Sequence, residues 1–440
     1  MGKFIIRGGK PLYGSVRLGG AKNASYKLMI ASVLAKGESR LLNFSHIQDV
    51  TATAEIIESL GGTTKHAGER NLFIDSSSLK SFSIADEYGP RSRSSTMFIP
   101  VLLHSFGQAS VPTPGGDKIG DRPLDRHFDA LTKMGATITI TGNRILVKAD
   151  QLKGIDYQFV KNSHTGTETL LMAAVCAYGK TTIKNAALEP EVDDLIEFLN
   201  AMGGNIRRRP GKVIEIKGVD HLEPTIYSIM PDRNEAVSYA CAAIATKGDI
   251  IVENAVPAHL EAFLDKLDQI GAGYEIGRYG IRFFYQGSLK ATDVVTEPHP
   301  GFMTDWQPIW SVLMTQARGD SIIHETIFPS RFQHVEGLQN LGAKIEYLHL
   351  PIDHPDKTYN FNTSDELLSE PHAIKITGPT PLCGCQYQIY DLRSGATMVL
   401  AALMSPDTTT LEGIELIDRG YESFDDRLRS MGADIKRLDR

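Results

Sequence analysis

Cysteine is scarce: Cys176, Cys241, Cys383 and Cys385 are the only four in 440 residues. They are too few and too scattered for the disulfide framework of a secreted scaffold. Cys383-Gly-Cys385 has no second Cys or His pair at zinc spacing, so no structural metal site is expected. Positive charge is not in excess either. The 46 Lys and Arg face 53 Asp and Glu, a formal charge of −7, which excludes the basic footprint of a nucleic-acid binder. No apolar run approaches the roughly 20 residues that span a bilayer. The opening MGKFIIRGGK turns polar too soon for a secretory leader. Walker and Rossmann glycine spacings are missing, so ATP and dinucleotide sites have no support. With 42% hydrophobic and 22% charged residues, the chain has a folded rather than a disordered composition. Its length suggests two or three domains. The expectation is a cytoplasmic protein, a monomer or weak homo-oligomer, with neither nucleic acid nor membrane as a partner.

What is plentiful is glycine, 40 residues, and its placement is periodic. An apolar residue followed by Gly-Gly or Gly-Ala recurs at Leu60-Gly61, Met134-Gly135, Met202-Gly203, Ile270-Gly271, Leu341-Gly342 and Met431-Gly432. The intervals are 74, 68, 68, 71 and 90 residues. Before each lies a helix-like stretch such as HLEAFLDKLDQIGA, with apolar residues at three-to-four spacing. After each come a short alternating strand such as ATITIT or NIRRRP, a turn, and a second strand such as RILVKA. The glycine fits a left-handed position just past a helix end. A second marker keeps the same beat: helices are predicted to end at Gly37, Gly107, Gly179, Gly248 and Gly319. The strands ESRLLN, QASVPT, KTTIKN, DIIVEN and DSIIHE follow, and Asp407 with TTTLEG stands in the sixth copy. Each copy reads strand–helix–strand–helix–strand–strand. The last interval is longer because Leu350–His372, rich in polar and turn residues, is an insertion, predicted as a surface excursion. The fold class is α/β, with two lobes of three mixed units each and a ligand cleft between them.

Several segments carry chemistry of more than one kind. Gly19-Gly20-Ala21-Lys22-Asn23 follows the strand SVRL and precedes the helix SYKLMIASVLAKG. It suits an anion at the helix start with Lys22 as a point charge, although taken alone it favours an ordinary turn with a solvated lysine. The charged, glycine-rich loop from Pro114 to Pro123 suits a lid or a plain connector. Asp305, in PHPGFMTD ahead of the helix WQPIWSVLMTQARG, stands where an N-cap would. Arg93, Arg122, Arg331, Arg393 and Arg419 suit either surface ion pairs or a small acid-rich substrate, whose phosphate and carboxylate guanidinium forks bind.

Taken together, from about Gly8 to Met431, these segments resemble the enolpyruvyl transferases. The resemblance implies an inside-out α/β barrel, with residues 22–229 as one lobe and a lid at about 112–123. Residues 1–21 plus 230–440 would form the other lobe, with the insertion at about 350–372. It implies phosphoenolpyruvate held by Lys22, Asn23, Arg93, Arg122, Arg331, Arg393 and Arg419. Ala21-Lys22-Asn23, IFPSRFQH, LIDRGYE and a motif similar to PHPxFxTD side with the branch acting on UDP-N-acetylglucosamine. There Asp305 takes the proton of the sugar 3-hydroxyl. The implied sugar-nucleotide contacts are Asn23, Arg93, Arg122, Pro123, Leu124, Asp125, Lys161, Ser163, Asp305 and Ile327. Members of that branch usually carry a lid cysteine that protonates the phosphoenolpyruvate methylene and is alkylated by fosfomycin; here Asp117 replaces it. A carboxylic acid donates a proton but is a weaker nucleophile than a thiolate, so Asp117 is expected to serve as general acid in a fosfomycin-insensitive protein. The implied reaction is addition then elimination, with Lys22, Arg122, Arg393 and Arg419 stabilising charge and no metal or organic cofactor. Arg126 and Ser163-His164-Thr165-Gly166 depart from the family pattern in the expected nucleotide pocket. They leave another uridine nucleotide or nucleoside as alternative acceptor, and a catalytically silent UDP-sugar-binding regulator as a further reading.

Overall fold

The six glycines that set the sequence period all take positive φ, from 76° at Gly271 to 105° at Gly432. These values come from a computed structural model that describes residues 2–91, 93–115, 120 and 123–439. Each glycine turns the chain out of a helix, for example Glu261–Ile270, into an antiparallel pair such as Gly273–Gly277 with Gly280–Phe284. The Glu261–Ile270 helix is amphipathic, burying Phe263, Leu264, Leu267 and Ile270 on one stripe. The strands expected after the second marker form as Glu38–Leu42, Gln108–Pro112, Lys180–Lys184, Asp249–Glu253, Gly319–His324 and Thr408–Glu412. Only Gly107 directly caps a helix, Ile99–Phe106; the other helices of that set stop two or more residues earlier. At Gly248 the left-handed turn is taken by Lys247 instead (φ 59°). Gly248 stays small for another reason, because an added Cβ would overlap the Leu12 carbonyl oxygen.

Six further helices have almost no polar face. They are Lys22–Ser32, Ile99–Phe106, His164–Ala174, Arg233–Ala245, Gln307–Met314 and Leu392–Met404. Every residue from Arg233 to Ile244, from Gln307 to Met314 and from Leu392 to Leu403 is buried. A helix apolar all round has no face to offer water, so it occupies a centre.

The chain divides into two compact units, one built mainly from Met1–Leu18 and Pro231–Arg440, the other from Gly19–Gly116 and Arg122–Met230. In the first, the Arg233–Ala245, Gln307–Met314 and Leu392–Met404 helices pack on one another, and three four-stranded sheets cover them. In the second, Lys22–Ser32, Ile99–Phe106 and His164–Ala174 hold the inner positions. Three strands pair far along the sequence. Lys3–Arg7 lies antiparallel between Thr408–Glu412 and Asp434–Leu438. Tyr13–Arg17 pairs in parallel with Asp249–Glu253, Val16 opposite Val252. Ile226–Ser228 pairs in parallel with Glu38–Leu42, Tyr227 opposite Leu41. The first unit therefore completes two sheets, and the second unit one, with a strand distant in sequence.

The 350–372 insertion is more than a surface excursion. It carries two short helices, Pro355–Thr358 and Asp365–Leu368, but Tyr359 and Phe361 are buried and stack at 4.8 Å. His372 packs against both rings, and His324 meets Tyr359 edge-on. This small apolar cluster fastens the insertion to the end of the Gly319–His324 strand.

Gly218, at the end of the Val213–Lys217 strand, packs so that an added Cβ would overlap the Ala177 carbonyl oxygen, and its N–H donates to the Gly179 carbonyl at 3.0 Å. Gly8 and Gly378 meet the Ala402 and Ala317 carbonyls in the matching places of two other repeats. Gly218→Ala is expected to destabilise the protein by about 1–3 kcal/mol, the cost of overpacking, seen as a lower urea midpoint at unchanged m-value.

Candidate active site

Lys22 opens its helix behind a tightly built turn. The Ala21 N–H donates to the Met230 carbonyl at 2.7 Å, and at Gly20 a Cβ would overlap the Asn43 carbonyl oxygen. Glycine there serves the packing of the turn. Lys22 is not a solvated charge: its Nζ lies 2.8 Å from Asp49 Oδ2, with both side chains largely buried. The Tyr26 ring stands between two lysines, 5.9 Å from Lys22 Nζ and 5.5 Å from Lys27 Nζ. Lys27 is buried and donates to Glu168 Oε1 at 2.7 Å. Burial alone would discharge it, but the Glu168 carboxylate overcomes that and holds its pKa above the ordinary value. His164 Nε2 lies 3.1 Å from the same carboxylate oxygen and 3.2 Å from Lys27 Nζ. Its pKa is raised too, burial opposing charge and Glu168 outweighing it.

Ser163 caps the His164–Ala174 helix, accepting from the Gly166 N–H at 3.1 Å, and Arg126 donates to the Asn162 carbonyl at 3.0 Å. His127 bonds Thr169 through Nδ1 at 2.9 Å and Thr165 through Nε2 at 3.2 Å. Burial and the Arg93 guanidinium lower its pKa to about 4. Lys22 and Asp49 thus lead, by way of the Tyr26 ring, to the linked side chains of Lys27, Glu168 and His164. Asn23 and Lys161 are half-buried, Leu124 is half-buried just ahead of the Asp125–Lys133 helix, and Pro123 and Asp125 are exposed. Asp117 and Arg122 lie outside the described residues.

In the other unit Asp305 is not a helix cap. Trp306 takes the cap position of the Gln307–Met314 helix, and its side chain makes no capping bond. The Asp305 carboxylate is instead clamped between two arginines. Arg331 Nη2 donates to Oδ1 at 2.8 Å, while Arg393 Nε and Nη2 donate to Oδ2 at 3.2 and 3.0 Å. Arg331 and Arg393 are 3% and 4% exposed, Asp305 21%. Arg393 is aimed by its helix, whose first N–H groups donate to Asp391 Oδ1, and by the Tyr421 ring 5.3 Å from its Cζ. The Arg331 Nε–H has no hydrogen-bond acceptor among the described residues. Two guanidiniums thus converge on one carboxylate, with one Arg331 donor lacking an acceptor among the described residues. His334 nearby stays neutral, burial and Arg331 lowering its pKa to about 3. Ile327 is half-buried with its N–H on Glu325 Oε1 at 2.8 Å, and Arg419 is half-buried in the turn after Ile414–Leu416.

Some charged residues in and around these groups have no place in the sequence expectations: Asp49, Lys27, Glu168, His127 and Glu325, and Arg427 bridging Glu235 (2.9 Å) and Glu422 (2.5 Å). Lys27 and Glu168 had a readable signal, since each is a charge inside an otherwise apolar helix (SYKLMIAS, TETLLMAA). Among the described residues no group of three or more His, Cys, Asp or Glu is placed to hold a metal ion, and no helix is long and apolar enough to cross a membrane.

Two units of helix-centred, sheet-covered repeats are the fold seen in enolpyruvyl transferases of solved structure. The chain belongs to the family described as EPSP synthase (3-phosphoshikimate 1-carboxyvinyltransferase), whose model matches residues 6–428. Within it, the chain is 39% identical over 438 residues to UDP-N-acetylglucosamine 1-carboxyvinyltransferase of Desulforapulum autotrophicum, covering 100% of both chains. It is 40% identical over 438 residues to UDP-N-acetylglucosamine 1-carboxyvinyltransferase 3 of Caldanaerobacter subterraneus subsp. tengcongensis, again over 100% of both. Among solved structures, the enolpyruvyl transferase NikO from Streptomyces tendae shares the fold at TM-score 0.84 with 22% identity, over 99% of each chain. EPSP synthase from Acinetobacter baumannii shares it at TM-score 0.72 and 18% identity, over 100% of each.

The buried imidazole of His127 makes stability pH-dependent. Above the ordinary value of 6.5 it is neutral in both states; between 6.5 and about 4 only the unfolded chain takes up the proton. Stability is therefore expected to fall as pH drops through that window. Urea titrations at several pH values should show this decline, and it should be shallower in His127→Gln.

Proposed function

We propose that this protein transfers the enolpyruvyl group of phosphoenolpyruvate to the 3-hydroxyl of UDP-N-acetylglucosamine, releasing phosphate, in cytoplasmic synthesis of peptidoglycan precursors. The observation that carries this reading is the Asp305 carboxylate between Arg331 and Arg393, with the Arg331 Nε–H lacking an acceptor among the described residues. A carboxylate bonded to two guanidiniums is a weak base. When the phosphate and carboxylate of phosphoenolpyruvate draw on those arginines, Asp305 is released to accept the acceptor proton. The base therefore becomes competent only once the electrophile is present. Lys22, Asn23, Arg93, Arg122 and Arg419 join Arg331 and Arg393 on phosphoenolpyruvate. Pro123, Leu124, Asp125, Lys161, Ser163 and Ile327 serve the sugar nucleotide together with Asn23, Arg93, Arg122 and Asp305.

Asp117, as its carboxylic acid, gives a proton to the methylene carbon, and the acceptor oxygen attacks the adjacent carbon to form a tetrahedral phospho-ketal. Loss of phosphate and a proton then leaves the enolpyruvyl ether. Lys22, Arg122, Arg393 and Arg419 stabilise the charge in place of solvent. No step calls on a metal or organic cofactor. With a carboxyl in place of a thiol, the fosfomycin epoxide meets no strong nucleophile at this position.

A different uridine nucleotide or nucleoside is the second reading. It is favoured by His164, whose imidazole sits against Lys27 and Glu168, and by Arg126, held on the Asn162 carbonyl, both next to Ser163.

Phosphate release from phosphoenolpyruvate is expected with UDP-N-acetylglucosamine, unchanged after incubation with fosfomycin, and absent with shikimate 3-phosphate. Asp305→Asn is expected to lower kcat by about 10²–10⁴-fold, the usual contribution of a general base, with the fold retained by circular dichroism. Release only with UMP or uridine would favour the second reading. Time-dependent inactivation by fosfomycin would remove the argument from Asp117.

A further inference from the structure

Glu325 follows the Gly319–His324 strand and is 1% exposed. Its carboxylate makes three bonds, all to the protein. Oε1 accepts the N–H groups of Ile327 at 2.8 Å and Phe328 at 3.1 Å, and Oε2 accepts the Thr304 hydroxyl at 2.8 Å. Thr304 immediately precedes Asp305, while Ile327 and Phe328 lead to Arg331. One buried carboxylate therefore ties the segment carrying the base to the segment carrying an arginine of its clamp.

Burial pushes the pKa of Glu325 up; its bonds to Ile327, Thr304 and Phe328 and the Arg331 guanidinium work the other way. For stability alone, apolar residues of similar volume serve as well or better than buried charge. What the carboxylate provides is register between two loops.

The same point is held from behind. The Thr326 N–H donates to Thr296 Oγ1 at 2.8 Å, and the Thr326 hydroxyl donates to the Thr296 carbonyl at 2.5 Å. The Glu325 N–H donates to the His372 carbonyl at 2.8 Å, and the Asn360 N–H to the Thr326 carbonyl at 2.7 Å. Both of the latter partners belong to the 350–372 insertion, so the inserted segment is bonded to the strand end that carries Glu325.

We propose that Glu325 is a positioning residue for the transfer reaction, setting Asp305 in register with Ile327 through the Thr304 hydroxyl while the 350–372 insertion braces it. The inference rests on the reading of Asp305 as the base. A general base must lie within hydrogen-bond reach of the hydroxyl it deprotonates, and a misplacement of about 1 Å costs on the order of 10²-fold in rate. A single hydroxyl link next to Asp305 is therefore worth a measurable part of kcat.

The test is steady-state kinetics of the full chain with phosphoenolpyruvate and UDP-N-acetylglucosamine. Thr304→Val keeps the shape and removes the hydroxyl; Thr304→Ser keeps the hydroxyl. Thr304→Val is expected to lower kcat about tenfold, part of the loss that misplacement brings, with KM for phosphoenolpyruvate little changed. Thr304→Ser should restore most of the rate. Glu325→Gln, which keeps an acceptor for Ile327 and Phe328, should fall between wild type and Glu325→Ala, and Glu325→Ala should also raise KM for the sugar nucleotide. Wild-type kcat in Thr304→Val, or a loss that Thr304→Ser fails to relieve at unchanged urea midpoint, overturns the proposal. Full turnover in Asp305→Asn overturns the base reading and this inference with it. An inactive Asp305→Asn beside a fully active Thr304→Val overturns this inference alone.

Discussion

A carboxylate shared by two buried guanidiniums is the interaction on which the arrangement of this site depends. Asp305, Arg331 and Arg393 come from three segments far apart in sequence, and each is set by something rigid. Arg393 leaves the first turn of a fully buried helix capped by Asp391. The Arg331 carbonyl accepts the Gln307 side-chain amide at 3.1 Å, and Asp305 follows a threonine bonded to Glu325. Buried cations repel one another, so this geometry persists only while an anion lies between them. Here that anion is Asp305.

The apolar centres make such a group possible. Helices buried on every side, such as Arg233–Ala245 and Leu392–Met404, cannot drift toward solvent without exposing apolar surface, so residues at their ends are fixed to within the tolerance of the packing. Buried or half-buried charge sits at those ends: Lys22, His164, Arg233 and Arg393 all open or nearly open a buried helix. The sheets around the centres carry little of it. They close the core, and glycines at their turns let backbone meet backbone where a Cβ would not fit.

Buried charge elsewhere follows the same logic. Lys27 and Glu168 neutralise each other where two apolar helices meet, and His164 is drawn onto the pair. Arg427 does this between Glu235 and Glu422. Each group links two or more segments that the hydrophobic effect alone would pack without a unique register.

The six-fold period, the strands after each glycine and the amphipathic and apolar helices were legible in the chain, because periodicity and turn chemistry act over a few residues. Gly271 needs positive φ whatever surrounds it, and HLEAFLDKLDQIGA has an apolar stripe before anything packs on it. Lys22, Asp305, Arg331 and Arg393 were legible by motif, but not the fact that Asp305 is held by both arginines. Only the tertiary structure decided that Tyr13–Arg17 pairs with a strand more than 230 residues away, that Glu325 faces Thr304, and that the polar 350–372 insertion buries two aromatic rings. Pairings of that kind are settled by which surfaces meet when the apolar helices are buried, and a charge's partner is whatever that burial leaves within reach. The sequence by itself determined the repeating unit and the residue types available for chemistry; tertiary packing decided which of them touch.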